Sequence, residues 1–197
     1  MASFADSFDR GDNSDLGASW DPQKSGSQAQ IVGQRVRVTS LSTNAEEVTN
    51  ALTPSPDQIA QITIATFVGA GAGHLGVLLR AAALGAETFY LLEATKHSAG
   101  TSGISIVVAG AQTTLVSENA TTWTAGDVLA GSVLGNLLTL KRNGVTLLQV
   151  SDATLGGGNI GIFLYEDTNA ADTELDDFVG GDVAPTDPSP FACGTGV

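Results

Sequence analysis

The sequence predicts an all-β protein, an antiparallel β-sandwich of the jelly-roll kind, and three observations carry that prediction. The first is the stretch 73–93, G-H-L-G-V-L-L-R-A-A-A-L-G-A-E-T-F-Y-L-L-E, where Leu75, Val77 and Leu79 share one parity and Arg80 falls on the other. Such alternation marks a strand with an inner and an outer face. Leu84, Gly85, Ala86 and Glu87 break the run, and T-F-Y-L-L-E-A then has the β-rich composition of a returning partner. The second is N-L-L-T-L-K-R-N-G-V-T-L-L-Q-V, which sets Asn143 and Gly144 between two apolar-rich runs. A two-residue type I′ turn needs positive φ at both central positions, and Asn-Gly supplies it. The third is the absence of any long amphipathic helical pattern, while roughly a dozen strand-like runs recur at the turn spacings of sandwiches and jelly rolls.

In chain order, residues 3–9 read as a short strand anchored by Phe4 and Phe8, and residues 11–15 as a turn cluster. Extended structure resumes over 16–20 and closes at Asp21 and Pro22, before a polar loop at 23–28. Residues 31–39 alternate, Val36 and Val38 against Arg35 and Arg37, as in one half-buried strand. Residues 44–57, broken by Pro54 and Pro56, read as a loop. A long strand over 58–68 puts Ile62 and Ile64 on one face, and a glycine-rich corner at 69–73 leads into the hairpin. Further strands are expected at 104–108, 113–116, 128–134, 137–142, 160–165 and 173–179. From residue 181 the composition shifts towards Pro and Gly, which do not belong in a sheet interior. The expected division is a sandwich domain over 1–180 and an extended C-terminal arm over 181–197.

The chain has 197 residues, a length that suits one β domain. Apolar residues make up 42% and charged residues 15%, with 24 glycines, a mixture that excludes global disorder. The formal net charge of −13 opposes binding to a phosphate backbone or an anionic membrane surface. Neither nucleic acid nor membrane is therefore expected as a partner. Cys193 is the single cysteine, so an intrachain disulfide is excluded. The opening residues lack a basic segment followed by an apolar one, so no Sec signal peptide is expected. The expected place is inside the producing cell, or inside a particle assembled in its cytoplasm.

Several segments, taken in order, resemble the concanavalin A-like or laminin G-like jelly-roll superfamily. F-x-D-x-F-D-R spans 4–10, L-G-x-x-W spans 16–20, and G-x-x-L-R-A spans 76–81. An aromatic return strand with Phe89 and Tyr90, an A-G-D turn at 125–127, the N-G hairpin, G-x-x-G-I at 158–162 and D-D-F at 176–178 complete the series. The resemblance implies that the first and last strands lie side by side. It also points to virion proteins of phages, notably minor tail proteins, where such a domain serves as a rigid structural or capsid-surface component. Other virion proteins, in a homo-oligomer or symmetric array, are the partners this implies, with the arm residues Pro185, Pro188, Pro190 and Phe191 as docking elements. The alternative it implies is a carbohydrate-binding adhesin that contacts host glycans; a glycoside hydrolase is the weaker alternative.

No catalytic constellation supports the hydrolase. The E-x-D-x-x-E strand of glucanases that this fold resembles is absent. Glu174 and Asp176 share parity near the chain's end but read as a solvated face. His74 and His97 sit in no metal-ligand spacing and read as surface or loop histidines. The expectation is a protein that is not an enzyme. Asp9, Asp12, Asn13 and Asp15 form an oxygen-rich loop of the kind that holds calcium at the rim of some laminin G-like domains. The same residue types also simply make turns. Trp123 and Tyr90 are the candidate platforms for stacking a sugar ring, with burial in the core as the competing reading.

Overall fold

The computed structural model describes residues 2–23, 28–82, 84–96 and 102–183. The docking residues Pro185, Pro188, Pro190 and Phe191, together with His97 and Cys193, lie outside this range. The strands, in chain order, are β1 (Ser3–Asp6), β2 (Trp20–Pro22), β3 (Ala29–Val32), β4 (Arg35–Val38) and β5 (Ala45–Thr49). There follow β6 (Gln58–Phe67), β7 (Gly73–Ala81), β8 (Phe89–Thr95), β9 (Ser102–Val108) and β10 (Ala111–Glu118). The last five are β11 (Val128–Leu134), β12 (Leu137–Arg142), β13 (Val145–Ser151), β14 (Asn159–Glu166) and β15 (Thr173–Asp182). The helical structure among the described residues is one 3-10 turn, Ala170–Asp172.

Two antiparallel sheets face one another. One runs β13-β12-β11-β6-β15-β4-β3, with β1 also paired to β15; the other runs β10-β9-β8-β7-β14-β5-β2. The parity read in the sequence is the parity of the core. Leu75, Val77 and Leu79 of β7 and Leu92 of β8 are buried against Ile62, Ile64, Leu129 and Leu140 of the opposite sheet. Each such side chain contributes roughly 1.5–3 kcal/mol by leaving water. Asn143 (φ 50) and Gly144 (φ 80) make the expected tight turn between β12 and β13. The first and last strands are neighbours as expected, with Asp6 opposite Phe178.

Three expectations are corrected. Residues 31–39 are not one strand: Gly33 (φ 60) and Gln34 (φ 67) fold the segment into a β3–β4 hairpin. The buried positions are odd in the first arm (Ala29, Ile31) and even in the second (Val36, Val38), and this change of parity across Gly33 and Gln34 is the mark of the turn. Residues 44–57 are not all loop, because Ala45–Thr49 is β5, fully buried and paired with both β14 and β2. Its two acids have hydrogen-bond partners: Glu47 Oε1 accepts the backbone N–H groups of Gln28 (3.0 Å) and Ala29 (3.2 Å), and Glu46 Oε1 accepts from Asn44 (3.2 Å). Finally, the sheet does not stop at residue 180. β15 continues to Asp182, whose carboxylate accepts the backbone N–H groups of Ala2 and Ser55, both at 2.6 Å.

Candidate functional site

The outer face of the β10-to-β2 sheet carries side chains of the parity opposite to the core. Register places them in rows across the strands. Phe163, Gly76, Glu93 and Gly103 form one row over β14, β7, β8 and β9, and Tyr165, His74 and Thr95 form the next. Beyond the first row a small apolar cluster of Leu78, Leu91, Phe89, Val107 and Val48 is also buried, with Phe163 in it and Tyr165 packed against it. The face is thus apolar on one side and polar on the other, and a recess of about 230 Å³ opens on the polar side.

Glu93 is the centre of that recess. Its strand neighbours in register are both glycines, Gly76 and Gly103, so no side chain flanks it across the sheet. Gly76 is required there, since a Cβ would stand 2.4 Å from the Leu92 carbonyl oxygen. The Glu93 carboxylate is held on both oxygens: Oε2 lies 3.0 Å from His74 Nδ1, and Oε1 accepts from Gln112 Nε2 at 3.2 Å. Gln112 also donates to Ser105 Oγ at 3.1 Å. His74 stands edge-on to Tyr165, ring centroids 5.5 Å apart at 90°. Asn44 lines the same recess from the β5 side. Thr95 Oγ1, opposite His74, is buried and has no hydrogen-bond partner among the described residues. A wall of aromatic edges beside a fixed carboxylate, amides and a hydroxyl can take up a small polyhydroxylated ligand.

These are not the residues expected from the sequence. Tyr90 is completely buried on the inner face, where its hydroxyl donates to Asp152 Oδ1 at 2.6 Å and accepts the Leu155 N–H at 3.0 Å. Burial, with the Asp152 carboxylate beside it, pushes the Tyr90 pKa up. Trp123 is 4% exposed and its Nε1 donates to Ser102 Oγ at 3.0 Å. The Arg142 guanidinium covers its ring at 5.7 Å and is itself paired with Asp127 at 2.7 Å. Neither ring offers a sugar an open face, because a sandwich of this size needs its large aromatics inside. His74, expected in a loop or on the surface, is instead a half-buried strand residue of the recess.

The oxygen-rich loop does not fit a calcium cage. Asp12 Oδ1 accepts the Gly33 N–H at 2.8 Å, and Asp15 Oδ1 accepts from Gly17 N (2.8 Å) and Asn13 Nδ2 (3.0 Å). Asn13 exchanges two backbone hydrogen bonds with Ile31, both 2.9 Å, and Asp9 remains exposed. The side chains hold groups of their own turn and of the β3–β4 turn instead of converging, and among the described residues no group of three or more His, Cys, Asp or Glu could hold a metal ion. Glu174 and Asp176 share the outer face of the other sheet, but Glu174 is held by Arg35 (3.4 Å) and Thr66 (2.9 Å). Burial raises the Asp176 pKa, and the nearby Asp177 and Asp9 charges add to that.

Comparison with solved structures gives the fold its place. The carbohydrate-binding module CBM66 from Bacillus subtilis superimposes with a TM-score of 0.64 at 13% identity, covering 86% of this chain and 96% of that one. The exoplasmic/lumenal domain of VIP36, in its Ca2+/Man3GlcNAc-bound form, gives 0.58 at 10% identity with 84% of each chain covered. The chain has a lectin-like jelly-roll fold. The GH43 protein BlXynB from Bacillus licheniformis gives 0.62 at 11% identity, covering 90% of this chain but 38% of that one, so the likeness to that hydrolase takes in only part of it. No protein-family model and no curated protein sequence matches the chain. At these identities the likeness is one of fold, and it agrees with the sandwich read from the sequence.

Proposed function

We propose that the protein is a carbohydrate-binding module whose binding site is the His74–Glu93–Gln112 recess. The observation that carries this reading is the combination, on one outer sheet face, of aromatic walls (Tyr165 and Phe163) with a hydrogen-bonding floor centred on Glu93. An aromatic edge accommodates the C–H face of a sugar, while carboxylate and amide groups take its hydroxyls. The jelly-roll neighbours, among them CBM66 and the VIP36 domain, support the same reading by fold.

Binding without turnover is supported by the lining of the recess, where Glu93 is the one Asp or Glu among the described residues. The next acid in the Glu93 row is Glu46 on β5, separated from it by the strands β7 and β14. Three strand spacings put their backbones roughly 14 Å apart. The paired carboxylates of glycosidases stand about 5–9.5 Å apart. A place in a phage particle, which the family resemblance implies, is not what the neighbours named above support. It is compatible with binding, since a virion component can itself touch a host glycan, but binding is the reading the recess supports. Calcium enters only through the Ca2+-bound form of VIP36, and the Asp9–Asp15 residues do not fit it.

The test is a glycan array probed with the whole chain and with His74→Ala, each first shown to melt cooperatively. The wild type is expected to bind a defined glycan class and the variant to lose it at unchanged melting temperature. No glycan bound, or equal binding by the two forms, overturns the proposal.

A further inference from the structure

We infer that the recess takes a single uncharged sugar unit and rejects anionic sugars, with Glu93 as the residue that sets this selectivity. The inference rests on the carbohydrate-binding reading and adds the ligand class.

Size comes first. At about 230 Å³ the recess lies below the roughly 300–1,000 Å³ of drug-sized sites, which suits one sugar ring better than a run of them. It is also not continued as a groove along the face, because the neighbouring rows are filled by the buried apolar cluster of Leu78, Leu91, Phe89 and Val107.

Charge decides the rest. Among the described residues lining the recess there is no Lys or Arg. The fixed ionisable pair is Glu93 with His74, and any positive charge on His74 is held against the Glu93 carboxylate at 3.0 Å. The whole chain carries a net charge of −13. A uronate or sialic acid carboxylate seated here would face Glu93 from a few ångströms, within a site whose carboxylate is only 8% exposed. At that distance and effective dielectric the like-charge repulsion costs about a hundredfold or more in affinity. A sugar hydroxyl meets the opposite situation, because it donates to an ionised oxygen and gains a charge-assisted hydrogen bond. Gly103 beside Glu93 places no side chain over the carboxylate, so that approach is not blocked from the β9 side.

The experiment compares glycans that differ by one carboxyl group, glucose- against glucuronate-terminated and galactose- against galacturonate-terminated, with free-amine glucosamine termini as a third arm. Titration calorimetry on the whole chain is expected to give at least about 100-fold weaker binding for each uronate than for its neutral partner. Glu93→Gln keeps the shape, with its amide oxygen accepting from Gln112 and its NH2 placed to donate to His74 Nδ1, but removes the charge, and is expected to close that gap by about tenfold or more. Uronates that bind as tightly as neutral sugars, an amine-terminated glycan that binds best, or a gap unchanged in Glu93→Gln would each overturn the selectivity inference while leaving carbohydrate binding standing. If folded wild-type protein binds no sugar in any arm, the underlying reading falls with it.

Discussion

The indole Nε1 of Trp20 donates to Asp6 Oδ2 at 2.9 Å, joining the two sequence segments that most resemble a jelly-roll signature. The same carboxylate takes Arg10 on both oxygens, at 2.6 and 3.1 Å, and the Phe8 N–H at 2.9 Å, while Arg10 reaches on to the Leu16 carbonyl at 2.6 Å. Around it Phe4, Phe8, Trp20 and Phe178 stack with ring centroids 5.0–6.2 Å apart. Phe4, Asp6, Phe8 and Arg10 of the first segment, Leu16 and Trp20 of the second and Phe178 of the last therefore have a structural task in closing the sandwich. Burial alone would raise the Asp6 pKa, but the hydrogen bonds from Arg10, Trp20 and Phe8 outweigh it and hold it below the usual carboxylate value. Asp6→Ala is expected to cost about 2–3 kcal/mol in urea unfolding, and Asp6→Asn less, since an amide oxygen still accepts from Trp20. Equal stability of wild type and Asp6→Ala would remove this network from the account.

Trp123 yields a prediction opposite to the one its sequence context suggests. Buried beneath Arg142 and bonded to Ser102, it is a core residue, and Trp123→Ala is expected to cost about 3–5 kcal/mol. Thermal melting would show the loss directly. A Trp123→Ala protein that melts like the wild type but fails to bind glycan would return this residue to the binding site.

How far sequence reaches is clear from such residues. Parity in β7 and the Asn143–Gly144 turn were legible because each rests on local chemistry that no distant contact overrides. β5 was hidden because Glu47 looks solvated until Gln28 and Ala29, 18–19 residues earlier in the chain, supply its partners. The recess was hidden for a related reason: Gln112 lies 19 residues from Glu93 and meets it only through the β8–β9–β10 pairing. One signal was present. Counting the β7–β8 hairpin in register sets Gly76 opposite Glu93 and His74 opposite Thr95, a polar patch on the face away from the core. Large aromatics drew attention instead, and in a sandwich those are the residues most in demand inside.

The Gly33–Gln34 turn offers a gain in stability. Gln34 occupies φ 67, a region where a Cβ-bearing side chain is strained. Gln34→Gly relieves that strain but adds freedom to the unfolded chain, and the net expectation is a gain of about 0.5 kcal/mol. A measurable rise in melting temperature checks it. A fall would mean that the strain is smaller than the added chain entropy.

Lys96 and Glu166 form a buried ion pair at the end of the sandwich, with Glu166 fully buried and Lys96 also donating to the Val68 carbonyl at 2.8 Å. Glu166 further accepts from Thr173 Oγ1 (2.6 Å), Thr168 Oγ1 (2.8 Å) and the Thr168 N–H (3.0 Å). Burial by itself would raise its pKa, yet these donors, Lys96 foremost, bring it down to about 2 from the ordinary 4.5. A carboxylate whose pKa is lower folded than unfolded stabilises the fold above the unfolded pKa. That stabilisation is lost as the pH falls from about 4.5 through 2, and amounts to roughly 3 kcal/mol. Glu166→Gln leaves Lys96 buried without its counter-charge and is expected to be less stable at pH 7 by about 3–5 kcal/mol. The gap between the two proteins should then narrow steadily as the pH drops through that window, as the wild-type carboxylate takes up its proton. Urea unfolding of both proteins at several pH values between 7 and 2 measures it, and a gap that stays constant across the range would show that the charge on Glu166 does not hold this end of the sandwich together.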